Sequence, residues 1–123
     1  MSGCSDLEES ESVYPVEVEQ IAGTDVKRVV FRPEGARRVG LETAKVRGAS
    51  RRRTIPLAAV VYDPEGRSFA YTSPEPLVYV REEIEIADVE GDRALLTDGP
   101  PPGTEVVTAG AAEVYGSEFE VEH

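Results

Sequence analysis

Few residues in this sequence could do chemistry. His123 is the only imidazole and the last residue, and Cys4 is the only thiol. A general base must be held within about 3 Å of the proton it takes, and a terminal side chain has no scaffold to hold it. A nucleophilic Cys needs a base and an oxyanion site beside it, and Ser2-Gly3-Cys4-Ser5-Asp6 supplies neither. One His and one Cys exclude an ordinary structural zinc site, and one Cys excludes an internal disulfide. The acids gather as Glu82-Glu83-Glu85 and Asp88-Glu90-Asp92. Paired carboxylates can exchange protons or hold calcium, but the second run lacks the twelve-residue calcium-loop order. Glu83 and Glu85 share a strand face with Tyr79 and Arg81, which reads as a solvated face. Gly99 to Gly103 is proline-rich, so it lacks the N–H groups a phosphate cradle uses. The expectation is a protein that is not an enzyme, with no catalytic residue, metal or cofactor.

Two sets of residues remain as candidate binding groups. Arg51-Arg52-Arg53 could contact an anionic partner or lipid headgroups, or could simply pair with acids inside the molecule. Tyr62, Tyr71 and Tyr79 could line a ligand groove, or could serve as core and cross-strand packing.

The 123 residues suffice for one domain, and their 40% hydrophobic and 30% charged composition is globular. No run of eighteen apolar residues crosses a membrane as a helix. The formal charge of −11 argues against a nucleic-acid binder. That charge is segmented: −6 over residues 1–24, +7 over 25–53 and −12 over 54–123. A basic centre lies between two acidic flanks.

Residues 1–12 hold too few apolar side chains to offset the entropy of ordering and read as an acidic tether. From Val13 to Glu19 and again from Val26 to Phe31 the alternation has a period of two, as in strands. Arg32 to Gly40 is the convincing helical signal. Pro33 suits the first helical position, Glu34 the positive end, Arg37 and Arg38 the negative end, and Gly40 the C′ position. Leu41 to Arg47 resumes strand character. Thr54 to Tyr62 is apolar on both faces and reads as one buried strand; Asp63 to Gly66 is a turn and Arg67 to Thr72 its antiparallel return. Ser73 to Pro76 breaks the chain. Leu77 to Ala87 predicts a long strand with one wet face, bent near Glu82. Arg93 to Thr97 and Glu105 to Ala109 follow, separated by the stiff loop Asp98 to Gly103, and Ala111 to Tyr115 adds one helical turn. About seven short strands with hairpin signals predict an all-β (mainly β) fold, a small, mostly antiparallel barrel or split barrel with one short helix. The domain is expected over residues 13–117, with a flexible tail over 118–123.

Several of these stretches resemble the membrane-proximal domain of periplasmic adaptor subunits, the membrane fusion proteins of tripartite efflux systems. Val29 to Phe31 through Gly40-Leu41-Glu42-Thr43-Ala44-Lys45-Val46 resembles the family's entry segment. Ile55-Pro56, Ala58 to Val61 and the Asp63–Gly66 turn resemble its hairpin, with Phe69 to Thr72 as the return strand. Val78 to Ile84 resembles the next strand, and Gly99 to Ala111 with Val114-Tyr115-Gly116 the closing element. In full adaptors a lipoyl-like domain and a helical hairpin lie between entry and closing elements, whereas here Val46 reaches Ile55 through Arg47 to Thr54 alone. The resemblance therefore implies a stand-alone module unable to bridge two membranes, with an inner-membrane transporter subunit as partner.

Ser2-Gly3-Cys4 also resembles the end of a bacterial lipoprotein signal, with Cys4 as the lipidated residue. The reading takes the chain as trimmed of its signal peptide. Residues 5–12 would then reach about 15–17 Å from the bilayer, giving an extracytoplasmic module anchored to the outer face of the cell membrane. The alternative class is a small-ligand-binding or sensing lipoprotein with a Tyr-lined barrel mouth. A packed barrel favours the interaction module, and a sizeable apolar pocket with converging polar groups favours the ligand binder.

Overall fold

A computed structural model describes residues 16–24, 26–49 and 51–120, with the side chain of Glu120 outside the description. Cys4 and the acidic tether lie outside the described residues. The strands are β1 (Val16–Gln20), β2 (Lys27–Phe31), β3 (Glu42–Lys45), β4 (Arg47–Ala49), β5 (Arg52–Pro56), β6 (Val61–Tyr62), β7 (Ser68–Glu75), β8 (Val78–Glu90), β9 (Arg93–Asp98) and β10 (Glu105–Ala109). The helices are α1 (Pro33–Val39) and α2 (Ala111–Glu120).

Strands make up 55% of the structure, which is a nearly closed antiparallel barrel of seven strands. Their order is β3-β10-β7-β8-β9-β5-β4, so the path begins and ends on strands separated in sequence by Val46 alone. Val46 is buried, donates its N–H to the Thr104 carbonyl (2.8 Å) and accepts from the Gly103 N–H (2.9 Å). The barrel thus comes round through one bent residue held by the proline-rich loop. Outside the ring β2 pairs with β8, β1 with β2, and β6 with β7.

The central strands β7, β8 and β10 are covered on both faces. One face joins Val46, Ile55, Ala59, Ala70, Ile84, Ala94, Leu96 and Val106 into the barrel core. The other joins Val16, Val29, Phe31, Tyr71, Tyr79, Val107, Ala111 and Val114 into a second core between sheet and α2. Successive side chains of a strand point to opposite faces. Val106 and Val107, or Ala70 and Tyr71, are therefore neighbours in sequence and belong to different cores.

Helix α1 forms as its residues dictate. Pro33 opens it, Glu34 lies in its first turn and Arg37 and Arg38 in its last. Gly40 closes it in the left-handed region at φ 80°, its N–H donating to the Ala36 carbonyl. Other expectations need correction. Thr54 to Tyr62 is not one strand: β5 ends at Pro56, a 3-10 turn follows over Leu57–Ala59, and β6 has two residues. After Pro56 the Leu57 N–H donates to the Asp92 carbonyl (2.7 Å), and the chain swings from pairing with β9 to pairing with β7. Ser73 to Pro76 does not break the chain at once, because β7 continues to Glu75 with a register shift between Thr72 and Glu75 that accommodates Pro74. In β8 the face of Tyr79 and Arg81 is not wet, since both residues are buried beneath the second core and α2. Helix α2 runs ten residues rather than one turn, so residues 118–120 are its last turn and not a tail.

Candidate functional site

The β4–β5 hairpin carries the basic triplet. Gly48 adopts φ 99° opposite Arg53, and a Cβ there would overlap the Arg52 carbonyl, so this tight turnback requires glycine. Arg51 and Arg52 are exposed, together with Arg47 across the hairpin. Neither Arg51 nor Arg52 forms an ion pair among the described residues. Arg53 behaves differently: its guanidinium donates to the carbonyls of Gly99 (2.7 Å), Pro100 (3.4 Å) and Thr97 (3.4 Å). It clasps the proline-rich loop to β5, which is a structural task. The triplet therefore divides into two outward cations and one inward one.

The three tyrosines do not share a groove. Tyr62 is 59% exposed on β6. Tyr71 is fully buried under α2, donating its hydroxyl to Glu118 Oε1 at 2.6 Å. Burial, with the Glu118 carboxylate beside it, pushes its phenol well above the ordinary range. Tyr79 packs edge-to-face on Phe31, with ring centroids 5.9 Å apart at 79°. The alternating geometry of β7 and β8 sends Tyr71 and Tyr79 into the second core, while β6 ends too early to carry Tyr62 with them.

Two features that sequence reasoning missed meet on that same side. The first is a buried ion pair. Arg81 donates from Nε to Glu118 Oε1 (3.0 Å) and from Nη2 to Oε2 (3.1 Å), in fork geometry. Glu118 is fully buried and also accepts from Tyr71 and from the Lys27 backbone N–H (3.3 Å). The Arg81 guanidinium lies between the rings of Phe69 and Phe119, 4.6 and 5.1 Å from their centroids. The signal for Glu118 was present: Ala111, Val114 and Glu118 recur at helical spacing, placing one carboxylate on the buried stripe. Gly116 and Ser117, poor helix formers, hid it by suggesting that the helix had ended.

The second is a cavity of about 680 Å³ between β3, the β7–β8 turn and the start of β10. Tyr79 lines it, with Leu41, Leu77, Glu75, Glu105 and Thr43 among its neighbours. Leu77 sits at φ 68°, a left-handed conformation held by its carbonyl accepting from the Phe31 N–H (2.8 Å). Burial raises the Tyr79 phenol, and the Glu105 charge raises it further. Glu105 Oε1 accepts from the Thr43 hydroxyl at 2.7 Å.

Elsewhere the carboxylates are ordinary or structural. Glu82 is exposed, yet partial desolvation of its carboxyl raises its pKa, the Asp98 charge raises it further, and Arg53 partly offsets both. Asp63 loses some solvation, but the Arg67 N–H, the Arg67 guanidinium and the Glu65 N–H outweigh that and hold it below the usual range. Among the described residues no group of three or more His, Cys, Asp or Glu could hold a metal ion, and no helix is long and apolar enough to cross a membrane.

The fold and these surfaces define a mostly β, nearly closed antiparallel barrel with a helix locked to one face. Comparison with known proteins returned no matching family model, no matching curated protein and no matching solved structure.

Proposed function

We propose that this chain is a non-enzymatic interaction module, similar to the membrane-proximal domain of an efflux adaptor, that works beside a transporter subunit on the outer face of the cell membrane. The observation that carries this reading is the division of labour around the barrel. The barrel core is filled by Ile55, Leu96, Val106 and their neighbours, and the three tyrosines do not converge on a mouth. Meanwhile Arg47, Arg51 and Arg52 project from one hairpin of a chain whose net charge is −11. Cations kept exposed against that background suit a complementary acidic surface on a partner, which such charges would steer into register. Cys4, lipidated, would supply the tether to the membrane.

The test is photo-crosslinking in the native membrane with a photoreactive amino acid at position 51, followed by mass spectrometry. A transporter subunit should be captured, and Arg52→Glu together with Arg47→Glu should abolish the capture. Recovery of no membrane protein from well-expressed material would overturn the reading. Arg53 must be left intact, because its loss would loosen the 97–100 loop whatever the partner. The anchor is tested separately: Cys4→Ser should release the protein from the membrane fraction, and continued retention would rule the anchor out.

A further inference from the structure

We propose that the Tyr79 cavity is a binding site for an organic cation, an ammonium or guanidinium carried on a short apolar stem. This does not depend on the Arg51–Arg52 surface.

The starting observation is a tyrosine whose ring is buried while its hydroxyl opens on a cavity and meets no protein partner among the described residues. Tyr79 is only 4% exposed, and its hydroxyl makes no hydrogen bond among the described residues. Its hydroxyl is not sealed in apolar packing either, for Tyr79 lines an open space of about 680 Å³, within the range of small-molecule sites. The other polar groups around that space decide what would satisfy it. Glu75 and Glu105 contribute carboxylates, Thr43, Ser73 and Thr104 contribute hydroxyls, and among the described residues no Lys, Arg or His lines the cavity. Glu105 has one oxygen taken by Thr43, and no hydrogen bond among the described residues reaches the other.

A phenol oxygen and two carboxylates present acceptors, so the absent complement is a donor that also carries positive charge. An anion would meet two like charges, and a neutral acceptor would serve the phenol alone. Leu41, Pro74, Pro76 and Leu77 give the cavity an apolar wall that suits a short hydrocarbon stem. Lys45 stands directly across from Glu105 on β3, outside the lining, and forms no ion pair with it among the described residues. It is the nearest competing cation on that strand pair.

The experiment is a titration of the full chain with butylguanidinium in roughly 0.15 M salt, where diffuse attraction is screened beyond about 8 Å. Two-dimensional NMR follows the amides, and N-butylurea serves as the neutral probe of the same shape. Butylguanidinium should saturate and shift the amides of Leu77, Tyr79, Thr104 and Glu105, with N-butylurea at least tenfold weaker. Glu105→Gln should weaken binding severalfold; Tyr79→Phe, which keeps the ring on Phe31, should weaken it about threefold, and Lys45→Met should tighten it. Glu83→Gln, an exposed carboxylate elsewhere, should leave it unchanged. Equal affinity for N-butylurea, shifts scattered over the acidic surface, or an unaffected Glu105→Gln would each overturn the proposal. A second arm distinguishes the source of the cation. A blocked glycyl-arginyl-glycine peptide binding more tightly than butylguanidinium would assign the site to a partner's basic side chain. The reverse order would assign it to a free small cation. Both results support the cation site.

Discussion

The two cores on either side of the central strands solve the same problem differently. The barrel core is built mainly from aliphatic side chains and alanines, and the buried Thr72 on that face donates its hydroxyl to the Val80 carbonyl. The core under α2 combines Val29, Phe31, Tyr79 and Val107 with a buried Arg81–Glu118 pair and the Tyr71 hydroxyl. Aliphatic packing is non-directional and degrades in proportion to the volume removed. A buried ion pair is nearly all-or-none, since removing one member leaves the other buried without its counter-charge. The barrel should therefore tolerate trimming by degrees, while attachment of α2 should fail abruptly.

The sharpest way to break this contrast is to remove one charge. Glu118→Ala or Arg81→Ala should cost about 3–5 kcal/mol in urea unfolding. The double variant Arg81→Met with Glu118→Leu should recover most of that loss, because an apolar pair of similar volume needs no desolvation. A double variant as unstable as either single one would show that the pair itself, and not its orphaned half, carries the stability. Next come the aliphatic residues: Leu96→Ala should cost about 2–5 kcal/mol and Ile55→Val about 0.5–1.5 kcal/mol, a graded series without a step. Tyr71→Phe keeps the ring and removes the short hydrogen bond to Glu118, so a loss of about 1.5–3 kcal/mol is expected, the range for bonds to charged groups.

The smallest effect separates two carboxylates by sign. Glu82 has a raised pKa, first through partial desolvation of its carboxyl and then through Asp98, so the folded state holds its proton more firmly than the unfolded chain. Its contribution is most favourable below the unfolded value and is lost as pH rises through the folded one. Glu82→Gln should accordingly raise the urea midpoint near pH 7 and leave it unchanged near pH 3. Asp63 has the opposite sign, because its folded pKa is lowered despite burial by the Arg67 and Glu65 hydrogen bonds. Its contribution is present above the unfolded value and disappears as pH falls through the folded one. Asp63→Asn should flatten the acid limb of the stability profile, and the same pair of titrations checks both.

Much of the barrel was legible because its signals are local. Pro33 and Gly40 mark α1 by backbone chemistry that acts within a few residues, and the structure places the helix between them. Glu105 to Ala109 is a strand over the residues expected. Long-range accounting was not legible. Tyr79 and Arg81 looked solvated because they alternate with valines on β8, and period two says only that two faces differ. It cannot say that both faces are covered.

The candidate sites divide along the same line. The sequence by itself determined the central block of positive charge and the antiparallel β architecture, since each depends on residue type or near-neighbour spacing. Only the tertiary structure decided which arginines are spent. Arg53 turns inward to carbonyls of residues 97–100, 44 to 47 positions away, while Arg51 and Arg52 remain outside. It likewise decided that Glu118, near the end of the chain, pairs with Arg81 across 37 positions, and that Tyr79 meets Glu105 at the edge of a cavity. Desolvation and pairing depend on what the fold brings beside a residue, and that neighbour is set by sheet register and helix docking rather than by distance along the chain.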